Sequence, residues 1–302
     1  DYPSLHNNLG NAFIDLRRLD DALIAFKDAL IHNPDYHESL NSLGVTLFKT
    51  GDHTEAIRVL KKAIKVKPDF VEAYLNLSEI LKQTDQRDEA KECLRNAIQV
   101  NPDVADIHNN LGALFYADEF FEESIKCFKK AIEIDPKLAD IYNNLGNAFK
   151  DTELFDEAMK SYETAIVLEP NSAEIHNNFG SLLSENLSRH DDAIISFKKA
   201  ISLDLYFYPA HLNLGHTFVA LNQYESAVEA YKSTMTIKPD LGNILGNLLN
   251  AKMNCCNWEK YNSLLNIKNI KKEFLDGKKV IAPFFLLSLI DDPALQRKAT
   301  ET

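Results

Sequence analysis

The sequence is short of positive charge. Its 302 residues carry 33 Lys and Arg against 45 Asp and Glu, a formal net charge of −12. Nucleic acid is disfavoured as a partner, because its phosphates demand clustered cations, and an anionic membrane surface is disfavoured for the same reason. Cysteine is scarce as well, with four in the whole chain. That number makes no disulfide framework and points to a reducing compartment, hence a cytoplasmic location, or a nucleocytoplasmic one in a eukaryote. Long apolar runs are missing. The longest, Val280 to Ile290, is broken by Pro283 and Ser288 and falls well below the roughly 20 residues that cross a bilayer. The chain opens on Asp1 with no charged segment leading into an apolar one, so it reads as a piece of a longer protein. Glycine patterns for phosphate or dinucleotide binding do not occur, nor does a Ser/His/Asp set, an acid–base carboxylate pair or an HExxH helix. No catalytic residue, metal site or cofactor is expected within these residues.

What is present is repetition. Glycines at 10, 44, 112, 146, 180 and 215 are separated by 34, 68, 34, 34 and 35 residues. Prolines at 34, 68, 102, 136, 170 and 239 keep the same period, and their last gap of 69 contains the same single-residue insertion. Units are expected at 3–36, 37–70, 71–104, 105–138, 139–172, 173–207 and 208–241, with a degenerate closing unit at 242–266 and a linker leading into a helical junction at 267–302. Each unit has an apolar residue and Gly near its eighth position, then Ala, an aromatic or Leu, Ala and Pro at fixed later positions. The first shows Leu9-Gly10, Phe13, Ala22, Phe26, Ala29 and Pro34. The fifth shows Leu145-Gly146, Phe149, Ala158, Tyr162, Ala165 and Pro170.

The spacing of Leu9, Phe13 and Leu16 puts them on one helical face. Gly10 and Ala22 remove bulk where two antiparallel helices approach, at a propensity cost of about 1 kcal/mol for the glycine. Pro34 has no N–H to donate and ends the second helix. The pattern resembles the tetratricopeptide repeat (TPR), which implies an all-α, right-handed superhelical solenoid of antiparallel helix pairs. The extra residue of the sixth unit is expected in the turn 185–190, where a longer loop costs little. Ser78 replaces the glycine of the third unit, and Leu205 the proline of the sixth.

In such a stack the first helix of each unit lines the concave groove, with positions two, five, six and nine facing it. Position six reads Asn8, Ser42, Asn76, Asn110, Asn144, Asn178, Asn213 and Asn247. Asparagine is a poor helix former, so a stripe of it calls for a reason. A carboxamide complements a peptide unit, and stacked helices about 8–10 Å apart meet roughly every third residue of an extended chain that advances about 3.3 Å per residue. The alternative is a merely solvated polar lining. Position two is acidic in Glu38, Glu72, Asp106, Asp140 and Glu174. Two readings stand side by side: helix-dipole stabilisation, or a negative groove edge favouring neutral or basic clients. Groove positions nearly lack Lys and Arg, which counts against a carboxylate-clamp TPR. The pairs Lys61-Lys62, Lys129-Lys130 and Lys198-Lys199 are expected late in the second helices, serving the helix end and forming a solvated outer face.

His6, His108, His176 and His211 share position four of their units, without metal-ligand spacing, and are expected to pack. Cys93 and Cys127 occupy equivalent places on successive second helices as small buried fillers. The vicinal Cys255-Cys256 pair is read as packing, with redox activity as the alternative.

The period is lost after the eighth unit. Cys256-Asn257-Trp258-Glu259-Lys260-Tyr261 is followed by a lysine-rich stretch, by Pro283-Phe284-Phe285-Leu286-Leu287, and by Asp291-Asp292-Pro293-Ala294-Leu295-Gln296. Asp292 before Pro293 is a helix-start signal. This tail, with Asn144-Leu145-Gly146-Asn147 upstream, resembles the junction of protein O-linked N-acetylglucosamine transferases, bacterial and SPINDLY-like members included. The resemblance implies a client-binding asparagine ladder, extended protein clients, and a parent enzyme that glycosylates Ser or Thr with UDP-GlcNAc, or with GDP-fucose in a SPINDLY-like member. It also implies a catalytic domain beyond Thr302, against which the apolar tail would pack; folding back onto the eighth unit is the alternative. A self-associating outer face, giving a homodimer, is compatible with the pattern. A stand-alone scaffold for complex assembly is the rival reading of the whole.

Overall fold

A computed structural model of the chain describes residues 2–256. The described residues are helical throughout, and the chain divides into two compact units, one through Thr152 and one from Glu153. The first unit holds α1 (Tyr2–Asp15), α2 (Leu19–His32), α3 (His37–Lys49), α4 (His53–Val66), α5 (Val71–Gln83), α6 (Arg87–Val100), α7 (Ala105–Ala117), α8 (Phe121–Ile134) and α9 (Ala139–Asp151). The second holds α10 (Phe155–Leu168), α11 (Ala173–Ser181, continued by a π-helical turn Leu182–Asn186), α12 (His190–Leu203), α13 (Tyr208–Ala220), α14 (Tyr224–Ile237) and α15 (Ile244–Asn254). Trp258, Tyr261 and the whole tail to Thr302 lie outside the described residues.

In each unit, helices adjacent in sequence pack against one another, forming a helical solenoid. First helices also meet first helices of the next repeat: α1 with α3, α3 with α5, α5 with α7 and α7 with α9 in the first unit, and α11 with α13 in the second. The second helices make no comparable contact among the described residues. The closer spacing of first helices makes theirs the inner side of the curve within each unit.

The core follows the repeat. Phe26, Leu60, Leu94 and Phe128 occupy one position of successive second helices, each no more than 1% exposed; full burial of such a side chain contributes about 1.5–3 kcal/mol. Facing Phe26, Leu60 and Phe128 is a glycine of the first helix. A Cβ built on Gly112 would lie 2.7 Å from the Phe128 ring, and one on Gly44 would lie 2.6 Å from Leu60. The expected close approach is therefore present. Ser78 fits opposite Leu94 and satisfies its hydroxyl on the Leu75 carbonyl at 2.8 Å. Ser124, where other units have Ala, is fully buried and donates to the Gly112 carbonyl at 2.8 Å.

The turn within each hairpin needs one left-handed residue. Arg17, Glu119, Ser188 and Asn222 have φ between 53° and 63°, and Gly51 has φ 92°. In the first hairpin Arg18 N–H bonds Phe13 O at 2.8 Å and Arg17 N–H bonds Ile14 O at 2.9 Å, the paired bonds of a Schellman closure. The turn between hairpins follows the proline. Asn33, before Pro34, is extended at φ −141° and ψ 96°, as a residue preceding proline must be. Asp204, before Leu205, keeps the same conformation at φ −139° and ψ 104°, so the missing proline leaves the turn intact.

Two expectations are corrected. The extra residue of the sixth repeat does not lengthen the loop. It is taken up inside the first helix as the π turn 182–186, with Leu187 N–H bonded to Leu182 O at 3.2 Å. Leu182 and Leu183 stay buried, at 0% and 1% exposure, as Ile80 and Leu81 are at the same positions of the third repeat. The lysine pairs are not placed at helix ends. Lys62 instead reaches the Pro34 carbonyl and Asp35 in the preceding turn, Lys61 pairs with Glu89 of α6 at 3.3 Å, and Lys129 lies 5.5 Å from the Phe149 ring centroid. Distance from the last turn removes their dipole role, and Lys61, Lys62 and Lys129 tie neighbouring repeats together.

Candidate functional site

The candidate site is the asparagine stripe on the inner side of the first helices. Asn8 is exposed on α1, and Asn76, Asn110 and Asn144 are half-buried on α5, α7 and α9. In the second unit Asn178, Asn213 and Asn247 are half-buried on α11, α13 and α15. Helical periodicity puts one such side chain per repeat on the same face, and packing of first helix against first helix brings neighbouring rungs near each other.

Several rungs are engaged within the stack, which narrows the expected ladder. Asn76 Nδ2 donates to Asn41 Oδ1 at 2.9 Å, Asn144 Nδ2 to Asn109 Oδ1 at 3.1 Å, and Asn213 Nδ2 to Asn177 Oδ1 at 3.0 Å. Each bond runs from position six of one repeat to position five of the repeat before. Asn177 Nδ2 also donates to Asn178 Oδ1 at 3.4 Å, and Asn247 Nδ2 to His216 Nε2 at 3.2 Å. The carboxamide oxygens of Asn76, Asn144 and Asn213 accept no hydrogen bond among the described residues, and Asn8 and Asn110 make none at all. Position-five residues Asn41, Asn109 and Asn177 are therefore part of the site. Reading position six alone missed them, although the doublets Asn109-Asn110 and Asn177-Asn178 signal them in the sequence.

The acidic residues of position two all sit in the first turns of α3, α5, α7, α9 and α11. Glu38 lies 3.0 Å from His37 Nδ1. Glu72, Asp106, Asp140 and Glu174 are exposed. Both roles weighed for them are open to side chains so placed: they favour the helix N-terminus and they border the inner face. Near the same face Tyr116 donates its hydroxyl to the Asp151 carboxylate, and burial followed by Asp151 pushes the phenol above its ordinary value.

The position-four histidines hold backbone. His108 Nε2 donates to the Pro102 carbonyl at 2.8 Å, His176 to Pro170 at 3.0 Å and His211 to Leu205 at 3.2 Å. His6 instead stacks on His32, with centroids 5.6 Å apart. No group of three His, Cys, Asp or Glu suited to a metal occurs among the described residues. A recess of about 480 Å³ opens between α4 and α6 above α5, floored by Tyr74, Leu77 and Leu81. Cys93 at its base is 9% exposed, with its thiol pushed up to about 12 by burial. Cys127 is half-buried rather than fully so, and burial raises it to about 11; neither thiol is a ready nucleophile at neutral pH. Cys255 is half-buried and Cys256 exposed.

Comparison with known proteins bears on the fold. Family models described as tetratricopeptide repeat match residues 7–69, 47–114, 139–172, 173–206 and 210–245, and one described as TPR repeat matches 121–152. Among solved structures, a tetratricopeptide repeat protein from Parabacteroides merdae is 15% identical with a TM-score of 0.63, over 78% of this chain and 93% of that one. PilF of Pseudomonas aeruginosa is 18% identical with a TM-score of 0.58, over 67% and 92%. The protein MamA is 28% identical with a TM-score of 0.48, over 57% and 94%. A search of the curated proteins gave no match. No helix among the described residues is long and apolar enough to cross a membrane.

Proposed function

Because this chain belongs to the tetratricopeptide-repeat family, we propose that it is a protein-binding module that holds extended polypeptide segments by their main chain, along the carboxamides of its first helices. One observation carries the reading. Asn110 makes no hydrogen bond among the described residues, and Asn76 and Asn144 on either side of it each keep an oxygen and one N–H uncommitted. Carboxamides so placed offer acceptor and donor to a peptide unit, largely regardless of client side chains. The acidic first turns at Glu72, Asp106 and Asp140 add a preference for neutral or basic segments.

The finer assignment is that the module recruits clients for a protein O-glycosyltransferase. What supports it is the likeness of residues 256–296 to the junction of the N-acetylglucosamine transferase family. On this reading the chain is the non-catalytic arm of a cytoplasmic enzyme that uses UDP-GlcNAc on Ser or Thr.

Changing Asn76, Asn110 and Asn144 together to Ala tests the first claim. Each rung contributes about 0.5–1.5 kcal/mol, so the affinity for a fluorescein-labelled unfolded 30-residue peptide, read by anisotropy, is expected to fall at least about tenfold. An unchanged affinity overturns the main-chain grip. In the full-length protein the same variant is expected to slow glycosylation of protein clients while leaving hydrolysis of the sugar nucleotide unaltered. Client binding without any glycosyl transfer would mark a scaffold for complex assembly instead.

A further inference from the structure

We infer that Asn110 is the anchoring rung of the first unit and that it selects extended segments placing a small side chain, Ser, Thr, Ala or Gly, beside it. The inference rests on the main-chain grip proposed above, and adds where that grip is strongest and what it admits.

The argument starts from register. Asn76 and Asn144 each donate to an asparagine 35 residues earlier, Asn41 and Asn109. The residue 35 before Asn110 is Leu75, whose side chain has nothing to accept a hydrogen bond. Position five of the first unit reads Asn7, Asn41, Leu75, Asn109 and Asn143, and its single leucine leaves Asn110 without an acceptor on the preceding first helix. The second unit repeats the effect: Leu212 stands 35 before Asn247, and Asn247 turns to His216 instead. Asn110 has no such substitute. It retains two donors and its acceptor oxygen while half-buried. A peptide unit of a client restores the hydration that burial has removed, in surroundings where a hydrogen bond is electrostatically stronger than in bulk water.

Asn110 also borders a recess of about 30 Å³, together with Ser78, Leu94, Ala113 and Leu114. Leu94 and Leu114 are 0% and 3% exposed, so that floor does not give way. Such a volume takes one group of about water size, a methyl or a hydroxyl. Glu79 and Lys82 on the rim neutralise each other at 2.5 Å, which leaves size rather than charge as the criterion.

The test uses the full chain and two labelled unfolded 15-residue peptides, one of Ser, Ala and Gly and one with Leu at every third position. Asn110→Ala is expected to weaken the Ser/Ala/Gly peptide about 2- to 12-fold, and Asn76→Ala or Asn144→Ala by less. Leu75→Asn, which supplies the missing acceptor, is expected to weaken binding toward the level of an Asn76-type rung, by less than Asn110→Ala does. Asn41→Leu, which releases Asn76, is expected to tighten it. If Asn76→Ala and Asn144→Ala matter as much as Asn110→Ala, the anchoring role falls while the ladder stands. If none of the three changes affinity, the ladder itself fails. Equal affinity for the leucine-bearing peptide overturns the size selection.

Discussion

His108 Nε2 lies 2.8 Å from the carbonyl oxygen of Pro102, six residues earlier, across the turn that joins two hairpins. A carbonyl only accepts, so this ring nitrogen carries the proton and the tautomer is set. The imidazole, 8% exposed, ties the start of the fourth hairpin to the end of the third, as Lys62 from a second helix ties the second hairpin to Pro34 at the end of the first. His108→Leu keeps the bulk and removes the donor. Because Pro102 is exposed, water replaces the lost partner, and the expected cost is only about 1 kcal/mol, read as a small fall in the urea midpoint.

The glycine–aromatic contact is less forgiving. Gly112→Ala would drive a Cβ to 2.7 Å from the Phe128 ring, and Phe128 is 1% exposed with no room to retreat. Overpacking of this kind costs about 1–3 kcal/mol. The third repeat, with Ser78 opposite Leu94, shows the compensation. Adding Phe128→Leu to Gly112→Ala is expected to recover part of the loss, and calorimetry on the two variants checks the order.

Hairpin turns offer a stabilising change. Glu119 sits at φ 63° where the second repeat has Gly51 at φ 92°, and a side chain pays roughly 1 kcal/mol or more for that conformation. Glu119→Gly is expected to raise stability by up to about 1 kcal/mol, and Gly51→Ala, though nothing lies within 4 Å of the added Cβ, to lower it by a similar amount. Denaturant midpoints of the pair give the comparison.

Acid sensitivity follows from Asp118. Hydrogen bonds from Lys91 at 2.8 Å and Arg87 at 3.0 Å hold its carboxyl below the usual range. A depressed folded pKa contributes stability above the unfolded value near 3.9 and loses it as pH falls through the folded value. The melting-temperature gap between wild type and Asp118→Asn, about 1 kcal/mol in free energy, is therefore expected to hold from pH 5 to 8 and to close below about pH 4.

The fold was legible because its cause is periodic. A proline that ends a helix and a glycine that faces a large side chain act locally or on the next helix, and each recurs at the same offset. The stripe of Asn76, Asn110 and Asn144 was legible for the same reason. Local reasoning failed at the insertion. A loop at 185–190 and a widened helical turn at 182–186 are equally consistent with one extra residue, and only the backbone bond from Leu187 to Leu182 shows which is formed.

By itself, then, the sequence determined the helix pairs, their turns and the line of carboxamides, since period and residue type dictate which face each side chain takes. Only the tertiary structure decided which carboxamides are committed. That depends on what stands 35 residues earlier on the adjacent first helix, Asn41 for Asn76 and Leu75 for Asn110. A hydrogen bond between repeats exists only once packing brings two helices within reach, and no local propensity encodes that distance.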